Sequence, residues 1–368
     1  MFVEEVKSYR PWVIGMLMIN CIFIVSILLI SFESTAHTRA RRLSPTSGLN
    51  SQSNIYYYGG SINTGTTKAY NVYYGNWNNG ESYRWSHLKN CKDCTTNDLS
   101  SITQTSAIID RFTADIGSTP WYQILSTYWD TSGGTPTNMI FAGSYNVNTS
   151  NYATSINQND IEGILRASII LNILPFPATG SSSNCYNFIP SEDVRIDKAN
   201  GGATADCLNE CGFHSSFTMN YDDITNAVIE YTVTANQASR NNEVQQCACT
   251  WWYEGSLASP NGNYIADSFI YILSHEIAEL VTDTSYGWDQ CLGCSREVAD
   301  LCMWRTGSGA YGDFLYYQFD NVNNQTAQAN VQVGSNYYHV NSLWVNYGQG
   351  CCSVSWPFDY SFGEFYTC

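Results

Sequence analysis

Apolar side chains recur at helical spacing from Ile265 through Phe269, Ile272, Leu273 and Ile277 to Leu280, and predict a helix over 263–283. The same periodicity predicts helices over 98–116 and 160–171. Runs rich in β-branched and aromatic residues predict strands over 68–77, 186–189 and 227–234. Further strands are expected over 337–345, in a Tyr/Asn/Gly-rich tail. Strands and helices mix without regular alternation, and no fixed-period repeat is present. This order predicts an α+β domain with a mixed sheet and a central helix rather than a doubly wound fold.

The helix over 263–283 breaks its own pattern. His275, Glu276, Glu279 and Asp283 fall within an arc of roughly 100°, and Glu276 and Asp283 project into the apolar stripe beside Ile265 and Ile272. A lone buried carboxylate is costly, so such a group acquires a partner, a proton or a metal. Zinc proteases with His-Glu-x-x-His place two ligands one turn apart and use the intervening Glu as general base. Here Glu279 stands where the second His would be. A metal would be held by His275 and Glu279, with Glu276 as base and a third ligand from a later element. Glu297, in Ser295-Arg296-Glu297-Val298-Ala299-Asp300, is the candidate; this run is similar to the second helix of thermolysin-like zinc peptidases, where a Glu ligand precedes an outer Asp. Asp300 and Asp283 then serve as outer partners that orient His275, and His214, in Cys211-Gly-Phe-His214, is a further candidate. Zinc suits the histidine; calcium is the alternative for so oxygen-rich a set. A fully hydrogen-bonded polar network without metal also accounts for these residues.

Residues 12–32 form an apolar run of 21 behind Lys7 and Arg10, as in a secretory signal or a signal anchor. Arg39-Ala40-Arg41-Arg42 offers a basic processing site or a charged flank. Segment 1–44 is therefore a targeting segment, 45–66 a Ser/Gly/Asn/Thr-rich flexible linker, and 67–368 the domain. Removing the five basic and three acidic residues of the first 44 from totals of 16 and 32 leaves 11 and 29, a formal charge of −18. Such a surface repels phosphate backbones and excludes nucleic acid as a partner. Thirteen of the fourteen cysteines lie beyond Cys21, mostly in close sets, and behind a signal-like N-terminus they read as disulfides. Thirteen is odd, which leaves one thiol free, metal-bound or paired with another chain. Asn148 and Asn324 stand in glycosylation sequons, usable in an extracellular or luminal body. Contact with a membrane is expected only through an uncleaved N-terminal segment, as in a type II anchored protein.

Several motifs occur in order: Val72-Tyr-Tyr-Gly-Asn-Trp77, Cys211-Gly-Phe-His214, Cys247-Ala-Cys249-Thr-Trp-Trp252, Pro260-Asn-Gly-Asn263 and His275-Glu-Ile-Ala-Glu279. Thr282-Asp283, Gly287-Trp288 and Glu297-Val-Ala-Asp300-Leu-Cys302 follow. Together they resemble the EXORDIUM (phosphate-induced) protein family over roughly residues 68–345. The resemblance implies a secreted, cell-wall or extracellular-matrix protein connected with growth, with matrix or wall polymers as partners and no settled reaction. Two functions follow: a non-enzymatic extracellular protein with a structural metal site, or a secreted zinc-dependent, peptidase-like hydrolase.

Overall fold

The computed structural model describes residues 54–77, 102–147, 151–177, 183–197, 211–221, 224–236, 260–261, 263–292, 296–303, 316–318, 326–346 and 350–353. Its frame consists of β1 (Gly65–Tyr74), α1 (Ile102–Ile116), β2 (Pro136–Asn146), α2 (Gln158–Ile170), β3 (Asn184–Pro190), β4 (Gly212–Tyr221), β5 (Ile224–Thr234) and α3 (Tyr264–Thr282). The five strands form one sheet in the order β2-β1-β3-β5-β4. Neighbouring pairs are parallel except β4, which lies antiparallel to β5 at the edge. The fold is thus α+β with a mixed sheet, as the element order predicts, although most of the sheet is parallel.

Alternation along the strands separates two cores. Ala69, Tyr73, Cys185 and Ile189 face α1 and α3, in a core closed by Leu301, Tyr338, Leu343 and Trp344 from the C-terminal segments. Val72, Phe188, Phe213, Phe217 and Tyr231 face α2 on the other side, with Ile161 and Leu165. Local signals set the helix starts. Asn157 and Asp160 form a reciprocal capping box at α2, and the Asn263 side chain accepts from the Ala266 N–H at α3.

Three expectations need correction. Helix α3 is not amphipathic: every residue from Ile265 to Asp283 is buried, because the sheet covers one side and the C-terminal segments the other. The segment carrying Glu297 is no second helix; only a single 3₁₀ turn, Asp300–Cys302, follows it. The second half of the expected linker is docked. Tyr56–Tyr57 pairs with Trp288–Asp289, Ile55 is 1% exposed, and Asn346 holds both the N–H and the carbonyl of Ile55. Here tertiary hydrogen bonding overrides a polar composition.

Cys302 and Cys351 form a disulfide, and Cys211, Cys291 and Cys352 are also disulfide-bonded. Cys185 is a free, buried thiol that donates to Asn187 Oδ1, and burial pushes its pKa well up. Among the described residues no helix is long and apolar enough to cross a membrane. The run over 12–32 and both sequon asparagines, Asn148 and Asn324, lie outside the described residues.

Candidate metal centre

Two elements converge at the edge of the sheet. Helix α3 packs across β4 and β5, with Glu276, Glu279 and Asp283 along its β4 side. Strand β4 turns Gly212 and His214 toward the helix. Gly212 is needed for close approach. A Cβ there would stand 2.7 Å from the Val233 carbonyl oxygen, 2.8 Å from Ile272 Cγ2 and 3.0 Å from Glu276 Oε1. The strand therefore lies directly against the Glu276 carboxylate.

His214 is set at the end of a polar row that crosses the sheet in register. Ser144, Asn71, Asn187, Thr232 and His214 are successive cross-strand neighbours on β2, β1, β3, β5 and β4. Thr232 donates to Asn187 (2.9 Å), Asn187 donates to Asn71 (2.9 Å), and Asn71 donates to Asp110 of α1 (2.7 Å). Ser144 reaches the other Asp110 oxygen. Asn71, Asn187 and Thr232 are fully buried, so each satisfied bond fixes a side chain that would otherwise be costly in the core. Sequence reasoning missed this row and Gly212; the available signal was a polar residue in the middle of each apolar strand.

The ionisable side chains form two groups of three, joined at Glu279. His275, Glu279 and Asp300 make one, and His214, Glu276 and Glu279 the other. His275 Nε2 lies 3.0 Å from Glu279 Oε2 and 3.3 Å from Asp300 Oδ1. His214 Nδ1 lies 3.5 Å from Glu276 Oε2 and 4.0 Å from Glu279 Oε2. The other nitrogen of His214 faces the Asp283 carbonyl oxygen at 3.3 Å and Glu297 Oε2 at 3.9 Å. Glu297 therefore approaches on the far side of His214, while Asp300 stands beside the His275–Glu279 pair. Asp283 ends α3: its Oδ1 accepts from the Gly287 N–H, and its carbonyl oxygen faces His214 Nε2. The Asp300 N–H donates to Glu279 Oε1, and the Glu297 N–H donates to Asp300 Oδ2, so the 3₁₀ turn is tied to the helix by these carboxylates.

His275, Glu276, Glu279 and Glu297 are each 0% exposed. Neither oxygen of Glu276 accepts a hydrogen bond. Glu230 and His339 are buried ionisable groups outside the cluster. Glu230, held by Asn63 at 2.7 Å, is pushed up to about 7 by desolvation, against weaker lowering by Asn63 and Thr284. His339, packed on the Tyr271 ring, is pushed down to about 4 by burial and is a core residue.

Residues 55–354 match the family model described as the phosphate-induced protein 1 conserved region. The chain is similar to Protein EXORDIUM-like 3 of Arabidopsis thaliana, 23% identical over 288 residues that cover 75% of this chain and 76% of that protein. It is also similar to Protein EXORDIUM-like 5 of Arabidopsis thaliana, 20% identical over 274 residues, 71% of this chain and 66% of that protein. No solved structure matches.

Proposed function

The chain belongs to the phosphate-induced protein 1 (EXORDIUM) family, and on that premise we propose an extracellular, wall- or matrix-associated protein that is not an enzyme and is organised around a buried zinc ion. His275, Glu279 and Asp300 are the proposed ligands. The observation that carries this is their spacing. Two ligands each about 2.1 Å from a tetrahedral zinc stand about 3.4 Å apart, and His275 Nε2 lies 3.0 and 3.3 Å from its two carboxylate neighbours. Bound there, zinc would tie α3 to the 3₁₀ turn and would compensate carboxylates that burial otherwise makes costly. The imidazole favours zinc over calcium. The disulfides support an oxidising compartment, hence secretion.

Elemental analysis of the purified, zinc-reconstituted and dialysed protein tests the metal. At least one zinc per chain is expected, and His275→Ala should lose it; a chain that keeps no metal overturns the proposal. For location, the tagged chain should be recovered oxidised from medium or wall, and a reduced chain confined to the cytosol would contradict secretion.

A secreted zinc-dependent, peptidase-like hydrolase is the alternative. Three protein ligands leave a tetrahedral zinc one open position, and Glu276 sits next to the pair as a base would. The burial of His275, Glu276 and Glu279 argues against it, because substrate has no way to them without movement of the covering segments. Glu276→Gln should abolish peptide hydrolysis by the zinc-loaded protein if the alternative holds. Under the non-enzymatic proposal there is no hydrolysis to lose.

A further inference from the structure

Resting on the zinc reading above, we infer that Asn341 is a positioning residue of the centre, which sets Asp300 against His275 by holding the residue before each of them. Its N–H donates to Ser274 Oγ at 3.0 Å, and Ser274 immediately precedes His275 in α3. Its side-chain Nδ2 donates to the Ala299 carbonyl oxygen at 3.0 Å, and Ala299 immediately precedes Asp300. One residue of the C-terminal segment thus spans the two elements that supply the proposed zinc ligands.

The surroundings orient this amide. Nδ2 also donates to the Ser342 carbonyl oxygen at 2.8 Å, and carbonyl oxygens only accept, so nitrogen rather than oxygen stands between them. The main chain that carries the side chain is held on both sides. Ser274 takes its N–H, and Trp121 Nε1 donates to its carbonyl oxygen at 2.7 Å. Ser274 is fixed in turn by donating to the Tyr271 carbonyl oxygen at 2.8 Å within the helix. Asn341, Ser274, Trp121 and Ala299 are all buried, so a bond broken here leaves a polar group without water to replace its partner.

Asp300 needs such a strut because its own element cannot place it. His275 and Glu279 are one turn apart on a buried helix of 19 residues, which sets their spacing. Asp300 opens a 3₁₀ turn of three residues, too short to be stable alone. Two bonds grip the main chain just before it, from the Trp344 N–H to the Val298 carbonyl at 2.8 Å and from Asn341 Nδ2 to the Ala299 carbonyl. The bonds from the Asp300 N–H to Glu279 and from the Glu297 N–H to Asp300 engage carboxylates of the proposed ligands, which a zinc ion would draw on. The Asn341 strut engages no ligand atom. It can therefore preset the 3.3 Å approach of Asp300 to His275 before metal arrives, which lowers the ordering cost of binding. Metal–ligand distances tolerate only about 0.2 Å, so loss of the strut is read in zinc affinity.

Zinc affinity, measured by chelator competition on the full chain far below its unfolding midpoint, tests the inference. Asn341→Leu keeps the size of the side chain and removes both Nδ2 donors. Its zinc affinity is expected to fall by about 10–100-fold, as when a group that orients a metal ligand is removed. Thr113→Val is the control. It removes a buried bond to the Ile109 carbonyl within α1, and should lower the midpoint of the metal-free protein without changing zinc affinity. A parent that binds zinc and an Asn341→Leu variant that binds it equally well make Asn341 purely structural; that result overturns the inference and leaves the zinc proposal standing. An equal loss of affinity in Thr113→Val ties the effect to general stability and overturns the inference too. A parent that binds no zinc removes the zinc proposal and the inference with it. If Asn341→Leu fails to fold, Ser274→Ala decides, since it removes the acceptor of the Asn341 N–H at a helical position that suits alanine. A fall in its zinc affinity supports the strut, and an unchanged affinity overturns it.

Discussion

Two buried groups outside the centre set opposite pH slopes. His339 has its folded pKa lowered from 6.5 to about 4, so the unfolded chain takes up its proton first on acidification. Stability is lost as pH falls through this window, by up to about 3 kcal/mol for a shift of that size. Glu230 is raised from 4.5 to about 7, so the folded state holds a proton the unfolded chain has released. Its contribution is present below the unfolded value and is lost as pH rises through the folded one, again by up to about 3 kcal/mol. Denaturant titrations should therefore find His339→Gln less sensitive to acid than the parent. Glu230→Gln should be more stable than the parent at pH 8 and similar to it at pH 4; an amide at 230 that leaves the profile unchanged would show that this carboxyl does not titrate in the fold. The residue scale is also where sequence reads least. His275 and Glu279 are neighbours by helical geometry and were visible as a pair, whereas nothing local places His214 over Glu276 or Asp300 beside His275.

Among elements, β4 and α3 are locked by one close approach. Gly212→Ala puts a methyl group against the Val233 carbonyl oxygen of β5 and the Ile272 and Glu276 side chains of α3. Overpacking of this kind costs about 1–3 kcal/mol. A lower unfolding midpoint is expected; an unchanged midpoint would mean the strand shifts freely at its end. The elements themselves were largely legible. Helices over 98–116, 160–171 and 263–283 and strands over 68–77, 186–189 and 227–234 overlap α1, α2, α3, β1, β3 and β5, with ends that differ by up to three described residues. Two strands were not. β2 contains Asn138, Gly143 and Ser144 and lies at a sheet edge, where one face meets solvent and the apolar run is broken. β4 alternates Phe213, Ser215 and Phe217 against Gly212, His214 and Ser216, and its His214 faces the helix and the centre. A period-two signal that assigns polar residues to solvent misreads such a strand.

For the whole molecule, the C-terminal segments close the centre rather than merely follow it. The 3₁₀ turn Asp300–Cys302 hangs between α3 and the hairpin of Leu343–Val345 with Gly350–Cys352. The Trp344 N–H donates to the Val298 carbonyl at 2.8 Å, Tyr128 donates its hydroxyl to the Trp344 carbonyl, and Trp121 Nε1 reaches the Asn341 carbonyl at 2.7 Å. The Cys302–Cys351 disulfide fastens this arrangement across a separation of 49 residues. Closing a loop of that length restricts the unfolded chain by about 4 kcal/mol in the entropic account. Because Cys302 is only two residues beyond Asp300, the bond also restrains the proposed zinc ligand against α3. The Cys302→Ala/Cys351→Ala double variant should therefore lose stability on that scale and bind zinc more weakly, and saturating zinc should restore part of the lost midpoint by mass action. Calorimetry of the parent and double variant, each with and without zinc, separates the two effects. A large fall in midpoint that zinc does not reverse would assign the disulfide a purely structural role, and an unchanged zinc affinity would show that Asp300 is held by the helix and hairpin without it.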